Sequence, residues 1–397
     1  MKTLYFSLED IDSGLFDSQV LNTVIGIQRQ HPEIQITLLV INQPWKTFKV
    51  KQKIERIRSQ GIGLIYLPLS PPLRWFSSAR IFTSLYILYL WLVLKLFVDL
   101  KQYKLVHCRN YLPALVIREF RNVNFFFDVR SLHAYEYVQA NKIQMNSDNY
   151  NYWLENEKKL LRSAAAVTAV SKGMIGYLQD MVNRPVDYCP IISNYDLVYF
   201  DEVARKEIRA MLGWEKFNIY VYSGSFGLYG LNKAYLARLM KFILELDTNA
   251  RFLFLTSNPE AELALFLKDN GIDQNLVFGK SVKLTELTAY LSAADIGIHA
   301  LPNQLDSFTR LGTKVVEYWS AGLPVILNDH IGEAAAICEQ LQLGKVISLE
   351  ADEVATLDTN IEELLAMDRM RIRSLTSELF SSAVVAKAYA NIYTRFL

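Results

Sequence analysis

The residues best placed to do chemistry lie together in the run Leu311-Gly312-Thr313-Lys314-Val315-Val316-Glu317-Tyr318-Trp319-Ser320-Ala321-Gly322-Leu323-Pro324-Val325-Ile326. Gly312-Thr313 reads as a helix start, with Thr313 able to cap it. Gly322 followed by Pro324 reads as the stop, with glycine in the left-handed position. The open end of such a helix aims amide groups and partial positive charge at whatever lies in front of it, which suits a phosphate. Glu317 stands one turn in, and helical side chains lean back toward the N-terminus. A carboxylate there can accept two hydrogen bonds from a vicinal diol such as a ribose. A helix whose glutamate faces solvent meets the same spacing. A second stretch, Tyr222-Ser223-Gly224-Ser225-Phe226-Gly227-Leu228-Tyr229-Gly230, carries glycines at intervals of three, which let a backbone come close to a ligand. It is neither a Walker loop nor G-x-G-x-x-G, and a tight turn without a ligand accounts for it equally well.

The elements that would position these residues alternate along the chain. Strand-like runs fall at Thr3–Ser7, Gln35–Val40, Gly63–Leu67, Leu105–Cys108, Asn124–Phe127, Ala166–Val170 and Val186–Tyr188 in the first half. In the second they fall at Ile219–Tyr222, Arg251–Thr256, Leu276–Phe278, Ile296–His299, Val325–Leu327 and Lys345–Ser348. Helical patterns separate them, which indicates parallel sheets built from βαβ units and, with two consecutive sets, two doubly wound domains. The expected division is 1–200, 201–380 and a C-terminal helix, 381–397, returning to the first domain; the boundary region is 198–217. Ligands of such sheets sit beyond the carboxyl ends of the strands, so an inter-domain cleft is the expected site. Residues 134–150 have little regular pattern and read as a lid facing an acceptor.

Length and composition agree with two large domains. At about 150 residues per domain, 397 residues make two to three. With 51% hydrophobic and 21% charged residues, the chain is not a disordered or low-complexity protein. Cys108, Cys189 and Cys338 lie far apart without CxxC spacing, which speaks against a disulfide scaffold or a zinc site and fits a reducing compartment. Glu9 and Asp10 directly follow the first apolar run, unlike a secretory signal peptide. The charge is uneven. Residues 1–200 hold 23 Lys and Arg against 16 Asp and Glu, a net of +7; residues 201–397 hold 19 against 25, a net of −6. Most of the excess lies in Lys46–Lys104, which also carries Trp75 and Trp91, and suggests attraction to an anionic surface or merely a solvated basic face. Within it, 16 of the 20 residues of Ile81–Leu100 are apolar or aromatic. This reads as a long core helix whose outer face can dip into a bilayer surface, with a spanning helix the weaker alternative. No motif supports nucleic-acid binding.

The run Lys314-Val-Val-Glu317-Tyr-Trp-Ser-Ala-Gly-Leu-Pro-Val-Ile, preceded by Ala294-Asp295-Ile-Gly-Ile-His299-Ala-Leu-Pro302, resembles the donor-nucleotide motif of the retaining group 1 (family 4) glycosyltransferases. So do Tyr222-Ser-Gly-Ser-Phe-Gly, Phe127-Asp-Val-Arg130-Ser, Glu157-Lys-Lys-Leu-Leu-Arg-Ser-Ala, Val170-Ser171-Lys172 and Ile192-Ser-Asn194-Tyr-Asp196, in family order across nearly the whole chain. The resemblance implies the α/β GT-B architecture, two Rossmann-like doubly wound domains facing an inter-domain cleft. It also implies metal-independent transfer of a sugar from a UDP- or GDP-linked donor, with no cofactor. The acceptor would be a surface polysaccharide or a lipid-linked oligosaccharide, in the cytoplasm or at the inner face of the membrane, with Lys46–Lys104 against the membrane surface.

Carried over by position, Glu317 matches the second glutamate of the family's Glu-x(7)-Glu pattern, on the ribose, and Thr309 stands where the first belongs. Ser225 and Gly230 stand where the family places Arg and Lys for the diphosphate. The donor set implied is Gly14, Ser223, Gly224, Ser225, Lys233, Thr309, Gly312, Thr313, Lys314 and Glu317. Gly14 belongs to Asp12-Ser13-Gly14-Leu15, which resembles the family's loop near the donor phosphate. A departing diphosphate needs positive charge where charge develops. Arg310, Lys314 and Lys233 are the nearest cations, and Arg310, just before the helix, ranks first. Arg130 takes the place of a histidine that faces the donor sugar in many relatives. With His133 and Glu136 it forms a group able to hold sugar hydroxyls or orient the acceptor, so Arg130, His133 and Arg310 are the catalytic candidates. Two other readings remain: a sugar-nucleotide epimerase on the same fold, and a GT-like scaffold or binding subunit weakened by the loss of Arg, Lys and one Glu.

Overall fold

In the computed structural model, residues 1–71, 78–191, 194–225, 233–350 and 360–397 are described. Trp75, Phe226–Gly230 and Ile192 of the motifs above lie outside them. The chain forms two compact units, Met1–Ile192 with Ser382–Leu397, and Ser193–Ser381.

The first unit holds β1 (Lys2–Ser7), β2 (Gln35–Ile41), β3 (Gly63–Leu67), β4 (Leu105–Arg109), β5 (Phe125–Val129), β6 (Ala166–Ala169) and β7 (Asp187–Tyr188). They pair in parallel in the order β3-β2-β1-β4-β5-β6-β7. Strands β4 and β5 are buried along their whole length, as a parallel sheet covered on both faces requires. One face packs against the helices Arg80–Phe97, Tyr111–Arg118, Asp148–Ser163 and Lys172–Val182. The other packs against Asn22–Gln30, Thr47–Ser59 and the C-terminal helix Ser382–Thr394. Gly26 makes the last contact close: a Cβ there would lie 3.2 Å from Ala386 Cβ.

The second unit holds β8 (Asn218–Ser223), β9 (Ala250–Leu255), β10 (Val277–Lys280), β11 (Ile296–His299), β12 (Val325–Asn328) and β13 (Gly344–Ile347), in the order β10-β9-β8-β11-β12-β13, again all parallel. Chain order reverses between β8 and β11, the switch point beyond which open α/β sheets leave a crevice.

Two expectations are narrowed in the first unit. Residues 134–150 are not irregular throughout. They open with a helix, His133–Gln139, and end in the Asp148–Ser163 helix, whose N-cap Ser147 accepts from the Tyr150 amide. The basic excess of Lys46–Lys104 is also partly spent inside the unit. Lys46 pairs with Asp10, Lys49 with Asp12 and Lys53 with Asp17, acids that lie outside the counted stretch.

Candidate functional site

The chemistry-bearing helix spans Thr313–Ser320. Gly312 occupies the N-cap at φ +75°, and no side chain caps the end, so Thr313 is the first helical residue and not the cap. The stop is formed by Gly322 at φ +72°, where a Cβ would lie 2.5 Å from the Arg369 carbonyl oxygen. The helix reaches the sheet because β11 offers Gly297 beneath it; a Cβ there would lie 2.4 Å from the Tyr318 ring. Tyr318 Oη in turn accepts the Ser223 N–H at 2.6 Å, tying the helix to the end of β8.

Between these elements a cavity of about 350 Å³ is lined by Asn194, Ser223, Gly224, Ser225, Thr256, Ser257, Ser281, Lys283, Lys314 and Glu317, among others. Glu317 is 3% exposed. Its Oε1 accepts from Asn194 Nδ2 at 2.8 Å and its Oε2 from Lys314 Nζ at 3.1 Å. A carboxylate has about four acceptor positions, so two such partners leave room for a diol. The first turn carries no acid but does carry Lys314, which adds a cation to the positive end of the helix. Arg310 lies directly before it, ion-paired with the buried Asp306. His299, at the end of β11, senses this field. Burial, then Arg310 and Lys314, push its imidazole down to about 4, and its buried Nδ1 has no hydrogen-bond partner. Each cation of this corner is matched by a carboxylate, Arg310 by Asp306 and Lys314 by Glu317, so the uncapped helix start adds the unmatched partial positive charge.

Of the donor candidates, Ser223, Gly224, Ser225, Lys314 and Glu317 line this cavity, and Gly312 and Thr313 open the helix beside it. Gly224 adopts φ +139°, and its N–H donates to the Leu255 carbonyl at 2.9 Å. Thr309 is buried, its hydroxyl donating to the Asp306 carbonyl at 3.2 Å within the short Leu305–Thr309 helix. Lys233 starts the helix Lys233–Leu246 and pairs with Glu262 at 2.9 Å. Gly14 belongs to the first unit, where its carbonyl accepts from Ser18 Oγ at 2.9 Å.

The first unit's catalytic candidates are placed as packing residues. Arg130 turns inward: its Nη1 donates to Tyr389 Oη at 2.7 Å and lies 3.4 Å from Asp128 Oδ1. Burial of Asp128 leaves a charge that Arg130 must neutralise, which draws the guanidinium under the C-terminal helix. His133 stacks on Tyr111 at 4.3 Å, with Trp153 and Tyr137 each 5.3 Å away. Burial, with Lys142 nearby, pushes its imidazole down to about 3, so it is neutral at pH 7. Glu136 accepts from Ser131 Oγ at 2.8 Å.

Asn194, Thr256, Ser257, Ser281 and Lys283 of the lining, and His299 beside it, have no assigned role in the sequence. Asn194 and His299 stood within quoted motifs, but their partners lie far along the chain.

Residues 218–367 match the family described as glycosyl transferases group 1. The matched stretch lies within the second unit. The two-unit architecture is that of solved GT-B proteins. Sucrose-phosphate synthase from Thermosynechococcus elongatus superposes over 99% of this chain and 98% of its own, with a TM-score of 0.69 at 15% identity. HepE from Anabaena in complex with UDP does so over 100% of both chains, with a TM-score of 0.69 at 13% identity. The lipopolysaccharide outer core galactosyltransferase WaaB covers 100% of both, with a TM-score of 0.64 at 12% identity. At these identities the likeness is one of fold. No curated protein matches the sequence significantly. With this match the enzyme class is glycosyltransferase, and Glu317, the uncapped helix and the named cavity residues other than Asn194 lie within the matched stretch.

Proposed function

We propose that this chain is a retaining glycosyltransferase that moves a sugar from a UDP- or GDP-linked donor to a polysaccharide or lipid-linked oligosaccharide acceptor, without a metal ion, at the cytoplasmic face of a membrane. The observation that carries the reading is Glu317: nearly buried, half-satisfied by Asn194 and Lys314, and set at the wall of a cavity in front of an uncapped helix start. The ribose hydroxyls donate to Glu317, the diphosphate meets the Gly312-Thr313 amides, and Lys314 swings from Glu317 to a phosphate oxygen. Arg310 supplies further charge as the bond from the sugar's anomeric carbon to the diphosphate breaks. The departing phosphate oxygen takes the proton of the acceptor hydroxyl, whose oxygen bonds to the same face of the anomeric carbon. UDP as the nucleotide draws support from HepE, solved with UDP and with UDP-glucose. A binding subunit without turnover is the second reading. It is favoured by Ser225 at a cation position and by the pairing of Arg310 with Asp306 and of Lys233 with Glu262.

The test is calorimetry with UDP, GDP, ADP and dTDP, together with nucleotide release from the matching sugars and the anomeric configuration of the product by NMR. One nucleotide is expected to bind, with Glu317→Ala weakening it roughly 10- to 150-fold, the worth of hydrogen bonds to a charged group. Binding without release would favour the binding subunit, and no binding at all would overturn both readings.

A further inference from the structure

The helix Arg80–Phe97 is strongly apolar, yet the unit covers only one side of it. Thr83, Tyr86, Leu90, Val93 and Leu94 are buried in the core. On the outside Ile81 is 66% exposed, Leu85 48%, Leu88 53%, Leu92 45% and Leu96 76%. At about 100° per residue these five fall within an arc of roughly 80°. Phe82 and Phe97, also exposed, widen it. A contiguous stripe of this kind marks an interaction surface.

The charge around the stripe selects the occupant. Residues 80–97 contain no Asp or Glu, while exposed Arg80 and Lys95 stand near the two ends. Lys95 lies over the Trp91 ring at 4.7 Å, its apolar stem along the helix and its ammonium at the rim of the stripe. An antiparallel pairing of two copies of this helix would bring Arg80 and Lys95 of opposite copies together, a like-charge contact. An anionic lipid surface accepts both the stripe and its cations. The helix is long and apolar enough to cross a bilayer by composition, but its inner face is core and it links β3 to β4 of one sheet, so crossing would dismantle the unit. The lysines of the Thr47–Ser59 helix are poorer candidates, since Lys49 and Lys53 are already paired with acids.

We propose that the outer stripe of the Arg80–Phe97 helix seats the first unit on an anionic bilayer surface, lying in the interface with Leu85, Leu88, Leu92 and Leu96 among the acyl chains. This gives the membrane setting of the proposed function a named surface and rests on that reading only for the acceptor. The test is flotation of the full chain with vesicles of phosphatidylcholine mixed with phosphatidylglycerol, against phosphatidylcholine alone. The chain is expected to float with the mixed vesicles and less with the neutral ones. Leu88→Glu with Leu92→Glu, at two exposed positions, should cut binding roughly tenfold or more with the melting temperature unchanged. Lys95→Glu should weaken binding to the anionic vesicles alone. Undiminished flotation of the double variant, or none by the natural chain, would overturn the proposal. So would self-association in sedimentation velocity that the same double substitution abolishes, because it would give the stripe to a second copy. UDP affinity measured on the same samples separates this failure from failure of the transferase reading.

Discussion

Each unit holds a buried carboxylate, Asp128 on a strand of the first and Glu317 on a helix of the second, and the two have opposite surroundings. Asp128 on β5 is 0% exposed and fully occupied. It takes Thr168 Oγ1 at 3.0 Å, His107 Nε2 at 3.2 Å, Tyr389 Oη at 3.2 Å and Arg130 Nη1 at 3.4 Å. Glu317 is 3% exposed but has one partner per oxygen, and both partners line the same cavity. Burial is therefore common to both. What separates the two is unused acceptor capacity beside open space, which only Glu317 has. The C-terminal helix makes the difference: Tyr389 from it donates to Asp128 and takes up its acceptor capacity.

The sharpest way to break this contrast is Asp128→Ala. Removing one partner of a buried ionic cluster strands Arg130, so stability should fall by about 3–5 kcal/mol in urea unfolding while the folded fraction keeps its UDP affinity. A loss of UDP binding in that fraction would show that the cluster belongs to the site. Burial opposes the Asp128 charge, but Arg130 and His107 outweigh it and hold the carboxyl below its usual range. Its contribution is thus present above the ordinary carboxylate range and drains away as pH falls below it.

Glu157 shifts the other way. Burial pushes it up to about 7, with Tyr111 and Tyr177 opposing, and its Oε1 has no hydrogen-bond partner. The fold prefers the protonated acid, so its stabilisation is full below the ordinary value of 4.5 and is lost as pH rises through about 7. This amounts to roughly 3 kcal/mol. Glu157→Gln should flatten urea-unfolding stability between those limits, and an unchanged slope would assign the pH dependence elsewhere.

The smallest effect sharpens the second half of the contrast. His299 is held neutral by burial and by Arg310 and Lys314, and an arriving diphosphate would cancel that field. UDP binding near pH 5 should therefore take up a proton, read by calorimetry in buffers of different ionisation enthalpy. His299→Asn should abolish the uptake and cost roughly 2- to 12-fold in affinity. Uptake that survives the substitution would place the proton on another group.

Much of the frame was legible because its signals are local. Ile296–His299 stands out as four residues between a helix pattern and Pro302, and it forms β11 to the residue. Glu317 follows from its distance to Gly312, since helical geometry alone sets one turn. His133–Gln139 was hidden because Tyr135 and Tyr137, two positions apart, blur a helical period. That Arg130 and His133 turn toward Asp128, Tyr389 and Tyr111 was not legible, because a charge or imidazole after a strand has the same sequence signature whether it faces a ligand or a core.

The sequence by itself determined the alternation of strands and helices, the two sets of βαβ units and the helix that aims Glu317. These depend on periods and caps within a few residues. Only the tertiary structure decided that Asn194 meets Glu317 across 123 positions, that Tyr389 closes over Asp128, that acids near residue 10 neutralise lysines near 50, and which side of Arg80–Phe97 stays bare. A strongly apolar helix carries no mark of which face its neighbours will cover, and a charge carries no mark of its partner; both are set when distant elements pack.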